Sequence, residues 1–220
     1  MNCCVIVPFF NERKFIRQVV YGCKLHVSRI IAVDDGSTDG GASEISGIEG
    51  VQVVVHKSNL GKGAALRTGF EIAINEKFDA VITLDGDLQH PSEKLPEFIA
   101  GITGHDVVIG KRNFTLGVMP PHRILSNTIS TLLIKLKTGT GFKDSQSGYR
   151  AFKTSLLKNI LPVEPGYVAE TEMLIKASRS SAKVGWVEIP AIYGEEKSKM
   201  KNIETTIKFV KQILKPLREY

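Results

Sequence analysis

The sequence predicts an α/β fold: a mainly parallel sheet sandwiched by helices, in a single domain. Three observations lead there. Apolar runs rich in Val, Ile and Ala, such as "NCCVIVPFF" and "FDAVITLDGD", do not alternate with polar residues, which marks parallel strands covered on both faces. These runs alternate with stretches of helical periodicity, the pattern of right-handed strand–helix–strand units wound onto one sheet. The polar oddities of the first half fall at the carboxyl ends of the strands, where such sheets bind ligands: Pro8-Phe9-Phe10-Asn11-Glu12, Asp34-Asp35-Gly36-Ser37, Asp85-Gly86-Asp87 and Lys111-Arg112. A length of 220 residues suits one domain, and 42% apolar residues suffice for a full core.

Each element has its own signature. "NCCVIVPFF" is the first strand. "NERKFIRQVVYGCKL" is a helix, with Asn11 placed to cap it, Glu12 in its first turn, and Phe15, Val19 and Cys23 recurring every fourth residue. "SRIIAVDDGSTDGG" is a strand ending in an acidic, glycine-rich turn, and "VQVVVH" is a third strand. "NLGKGAALRTGFEIAINEK" is a loop leading into a helix. "FDAVITLDGD" is the fourth strand, "PSEKLPEFIAGI" a helix with Pro91 near its first turn, and "HDVVIGKRN" the fifth strand. The second half begins with a proline-started helix, "PPHRILSNTISTLLIKLKTG". A glycine-rich polar loop, "GTGFKDSQSGYRAFK", then runs into a short strand. "GYVAETEMLIKASRSSAKVGWVEIPAIYG" reads as helix then strand, "EEKSKMKN" as a charged loop, and "IETTIKFVKQILKPLREY" as a last helix. No internal repeat, linker or low-complexity segment interrupts the series.

A net charge of +6 fits either a plain basic surface or an anionic partner, and does not choose between nucleic acid, phosphorylated substrate and membrane surface. No motif supports nucleic acid, so none is expected as a partner. Cys3, Cys4 and Cys23 form neither a C-x-x-C pair nor an even framework; they read as buried thiols in a reducing compartment. The chain enters a strand at once, so no signal peptide is expected. Its apolar runs fall short of the roughly 18 residues of a spanning helix. A cytoplasmic location follows, with peripheral membrane contact open. The five histidines show no metal-ligand spacing, and Trp186 reads as core.

The acidic strand ends carry the chemistry. Asp85 and Asp87 lie at i and i+2, so in an extended chain their side chains point the same way. There they can converge on a hard divalent ion, Mg²⁺ or Mn²⁺, leaving positions for water and phosphate oxygens. The pair alone reads equally as an ordinary Asp-Gly turn. Convergence of the other strand ends on the same rim favours the ion. A carboxylate at Asp34 or Asp35 can accept hydrogen bonds from a base or ribose hydroxyls. "NLGKGAALRTGF" is not a phosphate-binding G-x-x-x-x-G-K-[ST] loop, yet Lys62 and a helix N-terminus could face an anion.

The ordered set "VIVPFFNE", "VDDGSTDG", "NLGKGAALRTGF", "LDGDLQHP", "GKR" and "DSQSGYRAF" resembles family 2 glycosyltransferases of the GT-A, Rossmann-like fold. Within them it is most similar to polyprenyl-phosphate (dolichyl-phosphate) mannose and glucose synthases. The likeness covers about residues 3–200. It implies transfer of a hexose from a nucleotide-diphosphate sugar to a polyprenyl or dolichyl phosphate, with inversion at the anomeric carbon. By the same resemblance Pro8, Phe10, Asn11, Glu12, Asp34 and Asp35 hold the nucleoside. Lys62, Asp85, Gly86 and Asp87 complete the donor site, with Asp85, Asp87 and Gln89 on the metal. Arg112 and Arg123 match basic residues near the phosphates and acceptor. "DSQSGYR" matches a D-x-x-S-G-F-R segment, with Tyr149 in place of Phe, and Ser198 and Lys199 match an acceptor-side loop.

An acceptor that is already a phosphate anion needs cations more than a strong base. Arg123, Arg150 and Lys199, with Ser147, are expected to draw it in. Asp144 is the first candidate for a catalytic carboxylate beside Arg112 and Arg123, with Glu170 and Glu172 behind it; Asp144 could equally orient Arg150 or cap its loop. Unlike many relatives, the sequence has no C-terminal pair of spanning helices. Residues 1–200 are read as the transferase domain and 201–220 as an amphipathic helix. Its stripe of Ile203, Ile207, Val210, Leu214 and Leu217 is flanked by Lys208, Lys211, Lys215 and Arg218. That helix suits either the core or a membrane surface, and a small membrane anchor partner is the alternative. Location on the cytoplasmic face of a membrane would follow. Other readings are a transferase acting on a non-lipid acceptor such as a glycan hydroxyl, a sugar-nucleotide pyrophosphorylase, and a non-catalytic nucleotide-binding module. The strand end "PFFNE" argues against the pyrophosphorylase; the module leaves Arg123 and "DSQSGYR" unexplained.

Overall fold

The computed structural model describes residues 1–113, 119–192 and 203–220. Strand β1 (Cys3–Phe9) leads into helix α1 (Arg13–Lys24), and β2 (Ile30–Asp34), β3 (Val51–Val55), α2 (Lys62–Asn75) and β4 (Ala80–Thr83) follow. Then come α3 (Leu95–Gly104), β5 (Val107–Arg112), α4 (Pro121–Thr138), β6 (Arg150–Lys153), α5 (Thr154–Ile160), α6 (Ala169–Arg179), β7 (Val184–Ile189) and α7 (Ile203–Leu214). The seven strands form one sheet in the order β3-β2-β1-β4-β6-β5-β7. All pairs are parallel except those of β6, which runs antiparallel to both β4 and β5. The expected parallel sheet is therefore interrupted by one reversed strand.

Side chains alternate across the sheet, as strand geometry requires. On β1, Val5, Val7 and Phe9 face a core shared with Ile16, Val19, Val20 and Cys23 of α1 and Leu95, Phe98 and Ile102 of α3. Cys4 and Ile6 face the opposite core, with Ala65, Leu66 and Phe70 of α2, Leu157 of α5 and Met173 and Leu174 of α6. Both layers are needed because the central strands are buried along their whole length. The edge strands are the exceptions: β3 is half-exposed, with Val55 open to solvent, and β7 is partly exposed. The three cysteines are free and buried, and burial pushes the Cys4 and Cys23 thiols up to about 12, so they are inert packing groups.

Register sets the height of the rim. Phe9 pairs with Asp34, and Asp34 with Val55, so β1, β2 and β3 end level. β4 stops at Thr83, opposite Ile6, well short of Phe9. The segment that follows, with Asp85 and Asp87, folds into the space this leaves. Within it Leu88 takes a left-handed φ of 63°, a conformation that costs a residue with a Cβ roughly 1–2 kcal/mol.

Two local expectations are corrected. Asn11 does not cap α1; the N-cap is Glu12, with no side-chain cap bond, and Asn11 itself has φ 54°. Its side-chain oxygen instead accepts the Thr38 N–H at 2.9 Å, and its own N–H donates to Ser37 Oγ at 2.9 Å. These bonds tie the β1 turn to the β2 turn. Ile16, not Phe15, carries the first buried turn of α1. α5 was hidden in the sequence behind a four-residue strand. α7 packs against α4 and α6 through Phe209, Gln212 and Ile213, while Ile207, Val210 and Leu214 face outward.

Candidate functional site

A cleft of about 270 Å³ opens at the carboxyl ends of β1, β2 and β4. Twelve of the candidate residues read from the sequence line it: Pro8, Phe10, Glu12, Asp35, Lys62, Asp85, Gly86, Asp87, Gln89, Arg112, Arg123 and Glu170. Asn11, Asp34, Asp144, Ser147 and Arg150 do not, and Lys199 and Ser198 lie outside the described residues.

One wall is acidic. Lys62, the first residue of α2, sets its ammonium 2.7 Å from Asp85 Oδ1 and 3.3 Å from Glu170 Oε2. It was expected to face a ligand anion; it faces these carboxylates. Burial opposes its charge, but Asp85 and Glu170 outweigh burial and hold its pKa above the usual lysine value. Gly148 makes the arrangement possible. A Cβ there would lie 2.9 Å from Lys62 Nζ, 3.0 Å from Glu170 Oε1 and 3.1 Å from Asp85 Oδ2.

His90, one of the five histidines without metal-ligand spacing, also lines the cleft beside Asp85. Its Nδ1 accepts the Asp85 N–H at 2.9 Å, which fixes the proton of the neutral ring on Nε2. Burial pushes its pKa down to about 4, so it stays neutral. The ring lies 5.2 Å from Tyr149, which stacks on Phe98 at 4.1 Å and donates its hydroxyl to Pro91 O. Tyr149, the departure from Phe in "DSQSGYR", thus props the turn that carries the aspartates.

Asp87 accepts the Gln89 N–H at 3.1 Å. Burial, then the charge of Asp85, pushes its carboxyl up to about 6. A carboxylate disfavoured by burial and by a second carboxylate is what a hard cation relieves, and the amide-bearing Gln89 lines the same cleft. The donor set fits an open divalent site. No group of three or more His, Cys, Asp or Glu is arranged around a metal position among the described residues, so protein carboxylates do not close a cage.

Two arginines line the same cleft. Arg112, at the end of β5, forks onto Asp144, Nε to Oδ2 at 2.8 Å and Nη2 to Oδ1 at 2.9 Å. Asp144 is wholly buried and also accepts the N–H groups of Arg112 and Gln146. The expectation of a catalytic carboxylate at Asp144 is therefore corrected: its oxygens are committed, and it holds Arg112 rather than Arg150. Arg123 enters from the first turn of α4.

Arg150, expected to meet an acceptor phosphate, is 1% exposed and donates to three carbonyls: Ser147 at 2.7 Å, Glu170 at 2.8 Å and Ser145 at 2.8 Å. It is a strut between the 145–149 loop and α6. Ser147 is buried beside it, its hydroxyl without a hydrogen-bond partner among the described residues. Glu172 accepts the Val163 and Glu164 N–H groups and pairs with Lys176 at 2.6 Å, away from the cleft. Asp34 accepts the Ser37 N–H at 2.7 Å.

Asp35 does line the cleft, and it organises the opposite loop. It accepts the Leu60 and Gly61 N–H groups at 3.0 and 2.7 Å and the His56 Nδ1–H at 2.8 Å, while His56 Nε2 receives Thr68 Oγ1 at 3.0 Å. Asn59, Gln146 and Tyr167 also line the cleft and are not among the residues the sequence singles out. Each sits on a loop whose approach depends on tertiary contacts.

Residues 4–161 match the sequence profile of glycosyl transferase family 2. A UDP-N-acetylglucosamine–dolichyl-phosphate N-acetylglucosaminyltransferase of Methanococcus voltae is 31% identical, over 87% of this chain and 86% of that protein. A polyprenol monophosphomannose synthase of Mycolicibacterium smegmatis is 27% identical, over 87% and 77%. Among solved structures, glucosyl-3-phosphoglycerate synthase from Mycobacterium tuberculosis, with Mn²⁺, UDP and phosphoglyceric acid, superposes with a TM-score of 0.77. That superposition covers 98% of this chain and 79% of the other, at 21% identity, and shows a shared GT-A fold.

Proposed function

The chain belongs to glycosyl transferase family 2, and we propose that it moves a hexose, mannose or glucose, from a nucleotide-diphosphate sugar to a polyprenyl (dolichyl) phosphate. The observation that carries this reading is one cleft lined both by the carboxylates Asp85 and Asp87 and by the arginines Arg112 and Arg123. A donor diphosphate with its counter-ion suits the first; an acceptor phosphate suits the second. The names of the lipid-phosphate transferases among the relatives support the acceptor class.

Asp85, Asp87 and Gln89 would hold Mg²⁺ or Mn²⁺, which stabilises charge on a departing diphosphate. Pro8, Phe10, Glu12 and Asp35 form the nucleoside end. Arg112, fixed in direction by Asp144, presents its guanidinium to the phosphates without rotamer freedom to lose. Arg123 sits where a second phosphate would enter. The acceptor oxygen is an anion near neutral pH and needs no strong base, which agrees with Asp144 and Glu172 being locked elsewhere. Glu170, the remaining carboxylate of the cleft, is neutralised by Lys62.

The test is a donor screen: GDP-mannose, UDP-glucose and UDP-N-acetylglucosamine with a short polyprenyl phosphate, with and without Mn²⁺. Metal-dependent glycosyl transfer from one donor is expected. Failure of every donor, with no nucleotide binding, rules the reading out.

A further inference from the structure

Resting on the reading of the acceptor as a lipid phosphate, we propose that the adjoining outer faces of α4 and α7 are the surface by which this protein docks onto an anionic lipid bilayer. Along α4, Leu125, Ile129, Leu132 and Leu136 recur at helical spacing and all are exposed, Leu136 at 73%. Along α7, Ile207, Val210 and Leu214 form a second outward stripe, Leu214 at 76%, and Leu217 extends it. Exposed large apolar side chains grouped on neighbouring helices mark an interaction surface. The two helices pack against each other. Lys137 of α4 joins their carboxyl ends by donating to the carbonyls of Ile213, at 3.0 Å, and of Lys215.

Charge selects the occupant. Lys208 and Lys211 are exposed beside the α7 stripe, Lys215 is half-buried there, Arg218 follows, and Lys135 borders the stripe of α4. Glu204, paired with Lys208 at 2.6 Å, is the acidic residue within α7. An apolar stripe with a cationic margin fits acyl chains below and anionic headgroups beside them. No helix among the described residues is long and apolar enough to cross a membrane; docking at the surface would bring a lipid acceptor within reach. α4 connects that surface to the cleft: Arg123 in its first turn lines the cleft, and Leu125, two residues on, is exposed. A headgroup phosphate at the bilayer surface would arrive beside Arg123.

Flotation with phosphatidylcholine vesicles, with and without phosphatidylglycerol, tests the surface on the full chain. Turnover of a detergent-dispersed short polyprenyl phosphate is measured in parallel. The wild type is expected to float, more strongly with the anionic lipid. Each inserted leucine contributes about tenfold in partition, so Leu132→Glu with Leu214→Glu should lose well over tenfold while detergent turnover stays unchanged. Lys208→Ser with Lys211→Ser should remove the preference for phosphatidylglycerol. Equal flotation of the leucine variant, or wild-type turnover without flotation, overturns the proposal. So does a wild-type dimer that the leucine variant makes monomeric without either form floating, which would assign the face to a second copy. Wild-type flotation without turnover of any donor sinks the proposed reaction and upholds the docking surface.

Discussion

The Asp85–Asp87 pair concentrates negative charge where burial disfavours it, and the proposed site would answer with two cations of different kinds. Lys62 is built in, held against Asp85 and Glu170 around the bare Cα of Gly148. The other is left to be bound. Asp87 reports the difference, because burial and Asp85 raise its pKa from the usual 3.8 to about 6. A carboxyl raised on folding stabilises the ion-free protein only while protonated. The cost of ionising it is absent below about 3.8 and fully present above about 6. Asp87→Asn should therefore raise the stability of the ion-free protein near neutral pH by about 1–3 kcal/mol, less as pH falls below about 6, and not at all below about 3.8. In the wild type the proton competes with the ion, so Mn²⁺ affinity, measured by calorimetry, should fall as pH drops through about 6. A flat affinity across that range would remove Asp87 from the ion site. The aspartates were legible because a strand end and an i, i+2 spacing are local. Arg150 was misread for the same reason: its cationic type shows in the sequence, but the carbonyls of Ser145, Ser147 and Glu170 that consume it are gathered only by the fold.

Between elements, the site depends on turns that hold one another. Asn11 bridges the β1 turn to Thr38, and Asp35 at the end of β2 collects the Leu60 and Gly61 N–H groups that open α2. Gly36 sits between them at φ 77°, where a Cβ would lie 2.4 Å from the Ser58 carbonyl carbon and 2.7 Å from the Asn59 N. Both neighbours are backbone and cannot swing aside. Gly36→Ala should cost on the order of 1–3 kcal/mol, seen as a lower urea midpoint with an unchanged slope, and should weaken nucleotide binding by displacing Asn59. An unchanged midpoint would mean the 58–61 loop is not clamped as described. Parallel strands with intervening helices were readable because apolar runs and helical spacing persist over many residues. β6 was not readable as a reversed strand. Its four residues, Arg150–Lys153, carry no mark of direction, and their antiparallel pairing is set by neighbours β4 and β5 more than 35 residues earlier in the chain. α7 shows the limit of periodicity: its apolar stripe was visible, but the buried side is the one with Phe209, Gln212 and Ile213.

For the molecule as a whole, the cleft draws on β1, the β2 and β4 ends, the α2 start, β5, α4 and the α6 start, from Pro8 to Glu170. Those segments belong to two cores on opposite faces of one sheet, joined through β1 and β4. A ligand in the cleft therefore touches both layers, and its binding energy should stabilise the whole chain in one cooperative step. A nucleoside diphosphate with Mn²⁺ at about a hundred times its Kd contributes roughly 2.7 kcal/mol. For a chain of this size that corresponds to a rise in Tm of roughly 5–10 °C. The expected record is a single calorimetric transition that moves upward intact. Asp87→Asn should lose the Mn²⁺-dependent part of the rise while keeping a smaller shift from the nucleoside contacts at Pro8, Phe10 and Asp35. Arg112→Ala should lose diphosphate affinity and keep Mn²⁺ affinity, because its guanidinium is held by Asp144 and cannot ligate a cation. A rise confined to one of two separate transitions would show that the two layers do not fold together. No rise with either GDP or UDP would show that the cleft does not bind nucleotide, and the proposed donor would fall with it.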